Sequence, residues 1–121
     1  MNRVLIAEDE GALRLLAADT LEASGMTVLQ ARDGLEAIEL LSQHPEIEVL
    51  VSDVKMPRMD GYQLAEAAFA MRPDLTLIFM TGYAAEPPPA VLRGKNIRTF
   101  HKPFDFDELA EHIRIAGLAT K

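Results

Sequence analysis

Five short apolar runs recur along the chain: Val4–Ala7, Thr27–Ala31, Val49–Ser52, Leu75–Thr81 and Ile97–His101. They are rich in Val, Ile and Leu, and segments of helical period separate them. This regular alternation constrains the fold more than any other feature. Near-continuous apolar runs are strands covered on both faces, and intervening helices are what cover them. The fold class that follows is α/β, a five-stranded parallel sheet with helices on both faces and right-handed crossovers.

The helical segments carry their own faces. Leu13, Leu16, Ala17 and Leu21 line the first, and Ala37, Ile38 and Leu41 the second. Leu64, Ala67, Ala68 and Met71 line the third, and Phe106, Leu109, Ala110 and Ile113 the last. Asp33…Glu36, Asp60…Gln63 and Asp105…Glu108 place an acid at a helix start with Glu or Gln three residues on, the pattern of a capping box. Gly25, Pro45 and Pro73 mark helix ends. The fourth helical segment is predicted to be short or irregular, because Pro87-Pro88-Pro89 favours extended backbone and Gly94 follows. At most Ala90–Arg93 and some flanking residues form a turn of helix.

Composition removes several classes of function. A net charge of −7 argues against a nucleic-acid or anionic-membrane footprint, and the absence of cysteine excludes disulfides and thiolate chemistry. No apolar stretch is long enough to span a bilayer. With no signal-peptide pattern, a cytoplasmic location is expected. No linker or internal repeat interrupts the 121 residues, and Met1 lies just before the first strand. The expectation is one complete domain over 1–121.

Open α/β sheets bind ligands at the carboxyl ends of their strands. Glu8 and Asp9 follow the first strand, Asp53 ends the third, Thr81-Gly82 ends the fourth and Lys102-Pro103 follows the fifth. Clustered carboxylates repel one another unless a cation or proton is present, and their hard oxygens suit Mg²⁺. A carboxylate can act as nucleophile in phosphoryl transfer. The transition state then needs mainly positioning and charge neutralisation, which a cation, an ammonium and a hydroxyl provide. Each element alone has an ordinary structural explanation, such as a solvated turn, a helix cap or a surface lysine. Their co-occurrence at four strand ends is what points to phosphate chemistry. The three histidines, His44, His101 and His112, lie on different elements and read as surface or core-edge residues. Met56, Met59 and Met80 read as packing.

The acidic pair Glu8-Asp9, Asp53, the loop Met56-Pro57…Asp60-Gly61, Thr81-Gly82 and Lys102-Pro103-Phe104 together resemble the receiver domain of two-component response regulators. The likeness covers essentially the whole chain. It implies a flavodoxin-like fold with strand order 2-1-3-4-5. It also implies that Asp53 accepts a phosphoryl group from the histidine of a histidine kinase or a histidine phosphotransfer protein. By the same resemblance, Asp9 and Asp53 ligate Mg²⁺ directly, Glu8 acts mainly through water, and the Lys55 carbonyl completes the protein ligands. Thr81 and Lys102 contact the phosphoryl oxygens. The implied role is a switch that changes binding of a downstream protein partner, with slow autodephosphorylation at most. The resemblance also admits a phosphoryl shuttle or sink, the receiver portion of a hybrid histidine kinase, and a phosphorylation-dependent dimer.

Several positions depart from the common pattern of that family. Thr99 stands three residues before Lys102, where the family usually has a switching aromatic residue. Strand alternation places Phe100 on the opposite face, in the core. Tyr83 is the alternative readout residue. Lys55 and Tyr83 occupy positions that tune hydrolysis in the family, and their bulk is expected to shield the acyl phosphate. A metal-dependent phosphohydrolase would want an acid two residues past Asp53, but Lys55 stands there. A flavin-binding module would want a phosphate-cradling loop after the first strand. Glu8-Asp9-Glu10 would repel that phosphate.

Overall fold

The computed structural model describes residues 3–81, 90–92, 94–95, 97–101 and 105–119, with backbone alone at 81, 101 and 116–119. Five strands, β1 (Arg3–Ala7), β2 (Thr27–Ala31), β3 (Val49–Asp53), β4 (Thr76–Thr81) and β5 (Ile97–His101), form one parallel sheet in the order 2-1-3-4-5. Four α-helices are present among the described residues: α1 (Gly11–Ala23), α2 (Gly34–Gln43), α3 (Gly61–Met71) and α4 (Phe106–Ala119). The parallel sheet covered on both faces is what the alternating pattern predicts, and the order 2-1-3-4-5 is the flavodoxin-like topology that the family resemblance implied. Among the described residues between β4 and β5, Ala90–Leu92 forms a 3-10 turn, as a short or irregular fourth segment would. Pro87–Pro89 and Arg93 lie outside the described residues.

Strand alternation sorts the core into two layers. Leu5, Ala7, Leu50, Leu77 and Phe79 point to one side of the sheet, where α2 and α3 supply Ala37, Leu41, Leu64, Ala65, Ala68 and Phe69. Val4, Ile6, Val49, Val51, Ile78 and Met80 point to the other, where α1 and α4 supply Ala17, Ala18, Leu21, Leu109, Ala110 and Ile113. The central strands are buried on both faces, which is why their sequences are almost continuously apolar. Tyr62 of α3 meets Phe79 edge to face with ring centroids 5.0 Å apart, a geometry favoured by the ring quadrupoles.

Two helix faces differ from expectation. In α1 the buried residues are Ala17, Ala18 and Leu21, while Leu15 and Leu16 are more than half exposed. In α3 the buried set includes Ala65 and Phe69, and Met71 faces outward. Both helices seat small residues against the sheet, so a period-3.6 search weighted toward large side chains selects a neighbouring stripe.

Of the three predicted capping boxes, one forms in full among the described residues. Asp60 accepts from the Gln63 amide, and the Gln63 side chain accepts from the Asp60 amide, completing a capping box for α3. Asp33 caps α2 by accepting from the Glu36 amide, while the Glu36 carboxylate reaches back to the amide of Arg32. Asp105 Oδ1 accepts from Asp107 N rather than from Glu108. Gly25, with φ +92°, ends α1 in the left-handed conformation that glycine adopts at low cost.

The C-terminal end of α2 is tied down by a single side chain. Arg72, just past α3, donates to the carbonyls of Leu41, His44, Pro45 and Ile47 at 2.7–3.1 Å. The Leu41 and His44 carbonyls are among those a helix end leaves without intrahelical partners, and the Pro45 and Ile47 carbonyls lie in the loop that follows. Arg72→Met is expected to cost about 3 kcal/mol of stability in urea unfolding. Arg72→Lys should recover less than half of that, because an ammonium cannot reproduce the planar fork.

His112 packs edge to face against Phe100 at 5.2 Å, and its Nε2 has no hydrogen-bond partner among the described residues. Burial, and secondarily the Arg98 charge, hold its pKa below the usual 6.5. The folded protein therefore favours neutral imidazole, while the unfolded chain takes up a proton as pH falls below about 6.5. Stability should be fully present above that pH and decline as pH drops toward the folded-state value. Urea midpoints measured between about pH 7.5 and 5.5 should show the decline, and His112→Gln should lose the part of it that His112 contributes.

Candidate functional site

The parallel register determines which residues share the carboxyl edge of the sheet. Ala7 pairs with Ser52, Asp53 with Met80 and Thr81 with His101. Residues that follow β1 therefore emerge beside the end of β3, and the end of β4 lies next in line. Glu8 remains tied to the sheet, its amide donating to the Ala31 carbonyl at 3.0 Å.

Carboxylate oxygens of Glu8, Asp9 and Asp53 lie within 4.8 Å of one another. Their environments differ. Glu8 is buried, Asp9 exposed and Asp53 half-buried. The Glu8 side chain accepts from the Glu10 amide at 3.1 Å, and its carbonyl accepts from the Arg14 guanidinium at 2.8 Å. Asp53 Oδ1 accepts from the Lys55 amide at 3.3 Å. An all-oxygen, multiply anionic donor set with one buried and two accessible carboxylates fits a hard divalent cation such as Mg²⁺.

The backbone around Asp53 is held from several directions. Ser52, fully buried, donates its hydroxyl to the Asp53 carbonyl at 2.8 Å. The Val54 amide donates to Met80 O at 3.3 Å, and the Val54 carbonyl accepts from Gly61 N at 2.7 Å. Gly61 opens α3 directly against this segment. A Cβ there would stand 2.3 Å from Asp53 O and 2.8 Å from Val54 Cα. Gly61 is thus the spacer that lets α3 approach the end of β3, a role the sequence did not show.

A second group holds the far side of the β3–α3 loop. Arg58 forms an ion pair with Asp33, the buried cap of α2. The Glu36 amide most strongly, then the Arg58 charge, hold the Asp33 carboxyl below its usual range despite burial. Met56 and Met59 pack on the core as anticipated, and Met80 is fully buried.

Among the remaining predicted positions, Thr81 is the last residue of β4. Lys102, Gly82, Tyr83, Pro103 and Phe104 lie outside the described residues. Thr99 is exposed, and Phe100 packs against the α1/α4 layer, as alternation requires. His44 pairs with Glu46 at the surface.

Comparison with known proteins agrees with this arrangement. The response regulator receiver domain model matches residues 4–114, and the chain belongs to that family. It is 35% identical over 114 residues to the response regulator receiver protein CpdR of Brucella abortus (strain 2308), covering 93% of this chain and 94% of that protein. It is 36% identical over 113 residues to the sensor kinase CckA of the same organism, covering 92% of this chain but 12% of the kinase. The crystal structure of the receiver domain from hybrid histidine kinase CckA superposes with a TM-score of 0.80 at 34% identity, covering 94% of this chain and 97% of that one.

Gly61→Ala should force the start of α3 away from Asp53, because the atoms in the way are backbone. We expect a loss of about 3 kcal/mol in urea unfolding. The Asp53 and Lys55 amide resonances should shift more than those of the α1/α4 layer.

Proposed function

We propose that Asp53 is the phosphoacceptor of this receiver domain and takes its phosphoryl group from the histidine of a histidine kinase or phosphotransfer protein. The observation that supports this most is the half-buried Asp53 carboxylate beside those of Glu8 and Asp9, within 4.8 Å. An Asp53 oxygen attacks phosphorus, the phosphorus–nitrogen bond breaks, and the imidazole leaves with the bonding electron pair and takes up a proton. The transition state is loose, so the protein contributes positioning and charge balance rather than covalent help.

Asp9, Asp53 and the Lys55 carbonyl would hold Mg²⁺ directly, with Glu8 acting through water. When bound, the ion neutralises the clustered carboxylates and the phosphoryl oxygens. Thr81, at the end of β4, would supply a hydroxyl to the phosphoryl group, and Lys102, next in sequence after β5, an ammonium. Lys55 stands where a phosphohydrolase would carry its acid/base, so no side chain there activates water. The acyl phosphate is therefore long-lived, and Lys55, which is exposed beside Asp53, would shield it.

The phosphorylated form would act by changing affinity for a downstream protein partner or a second copy of the domain. The relationship to CckA supports an equivalent role as the receiver of a hybrid kinase, with the same acceptor chemistry. No helix among the described residues is long and apolar enough to cross a membrane, and a cytoplasmic location suits the proposed role.

Incubation with phosphoramidate and Mg²⁺, read by intact mass, should add one phosphoryl group to the wild type. Asp53→Asn and chelation by EDTA should each abolish the gain. An equal gain in Asp53→Asn, or none in the wild type, would overturn the assignment.

A further inference from the structure

The loop between β3 and α3 carries Lys55, and its conformation is unusual at one residue. Arg58 has φ +69°, the only positive φ at a non-glycine among the described residues. An arginine in the left-handed region is disfavoured and persists only where its surroundings hold it. The group that holds it is Asp33. The Arg58 side chain is 64% exposed, but the Asp33 side chain it meets is 5% exposed. Asp33 divides its two oxygens: Oδ1 caps α2 through the Glu36 amide at 2.9 Å, and Oδ2 receives Arg58. A buried carboxylate without its cationic partner is costly, so the pair resists opening.

The neighbouring residues fit the same purpose. Met59 lies on Gly34, the first residue of α2, so closely that a Cβ on Gly34 would stand 2.9 Å from Met59 Cβ, Cγ and O. The loop is therefore held where its two ends meet and again at its middle. Gly61 presses it onto the Asp53 backbone, while Arg58 and Met59 fasten it to the start of α2.

We propose that Asp33 and Arg58 form a latch that pre-organises the β3–α3 loop for the divalent ion, making both of them positioning residues for the metal site. The inference rests on the reading of Asp53 and Lys55 as metal-binding groups. A carbonyl ligand on a loop that must be ordered at the moment of binding gives weaker affinity than one already in place. Outer groups that orient metal ligands commonly change metal affinity by about tenfold or more when lost. Without the ion pair, the left-handed Arg58 loses what holds it, and the loop relaxes away from the geometry that presents Lys55.

Isothermal titration of unphosphorylated protein with Mg²⁺, alongside thermal melts, tests the proposal. Arg58→Ala should weaken Mg²⁺ binding about tenfold. Asp33→Asn keeps the helix cap but loses the charge, and it should do the same. The double variant should be no weaker than the weaker single, because the two residues act as one unit. Arg58→Gly removes the backbone strain, so it should lose less affinity than Arg58→Ala, and Arg58→Lys should recover most of it. An unchanged Kd in Arg58→Ala and Arg58→Gly, with only Tm lowered, would overturn the latch and leave the metal site standing. Additive losses in the double variant would also overturn it. Wild-type protein that binds no Mg²⁺ would overturn the site and the latch together.

Discussion

The structure depends on a repulsion held in place. Glu8, Asp9 and Asp53 bring like charges within 4.8 Å at one sheet edge, and Glu8 does so from a buried position. Nothing in their mutual interaction favours this. What imposes it is the parallel pairing of β1 with β3, two strands whose side chains are almost wholly buried in both layers. Hydrophobic burial over the sheet outweighs a local electrostatic cost at its rim. That cost falls when a divalent cation or a proton arrives, which couples ion occupancy to the stability of the fold.

The proposed role of Asp53 as acceptor would require its oxygens to stay in place, and the backbone around it is fixed at several points. The Ser52 hydroxyl, the Val54 amide and the Gly61 amide each fix one point of the segment. Steric contact does the rest. Because Gly61 has no side chain, the first turn of α3 lies directly on the Asp53 carbonyl. The middle of the loop is held by charge through Asp33 and Arg58. Short-range exclusion where the loop's ends meet and an ion pair at its middle both restrain it.

Much of this was legible in the sequence, for physical reasons that differ by feature. Strands buried on both faces write themselves as apolar runs, so the parallel sheet was readable from pattern, while its strand order came from the resemblance of the motifs to receiver domains. The acids were readable because they directly follow strands, where the topology fixes position. Asp60 and Gln63 announced their cap because the interaction is local. The faces of α1 and α3 were partly misread. Ala18 and Ala65, rather than Leu16 and Met71, meet the core, since close helix–sheet approach favours small residues. The Asp33–Arg58 pair is separated by 25 positions and leaves no periodic trace. The contact of Gly61 with Asp53 is likewise visible only once α3 has docked.

The two ends of the sheet edge differ in how firmly they are held. Around Asp53, backbone hydrogen bonds, buried packing and an ion pair overlap. On the α3 side of β5, the chain offers a 3-10 turn of three residues, with Leu92 buried and Val91 exposed. Such a turn has few internal hydrogen bonds and little local stability. Thr99 places no ring on that side of β5, while Phe100 is engaged with His112 in the opposite layer. A change of charge at the acidic edge therefore meets a rigid framework at β1 and β3 and weaker restraint toward Ala90–Leu92.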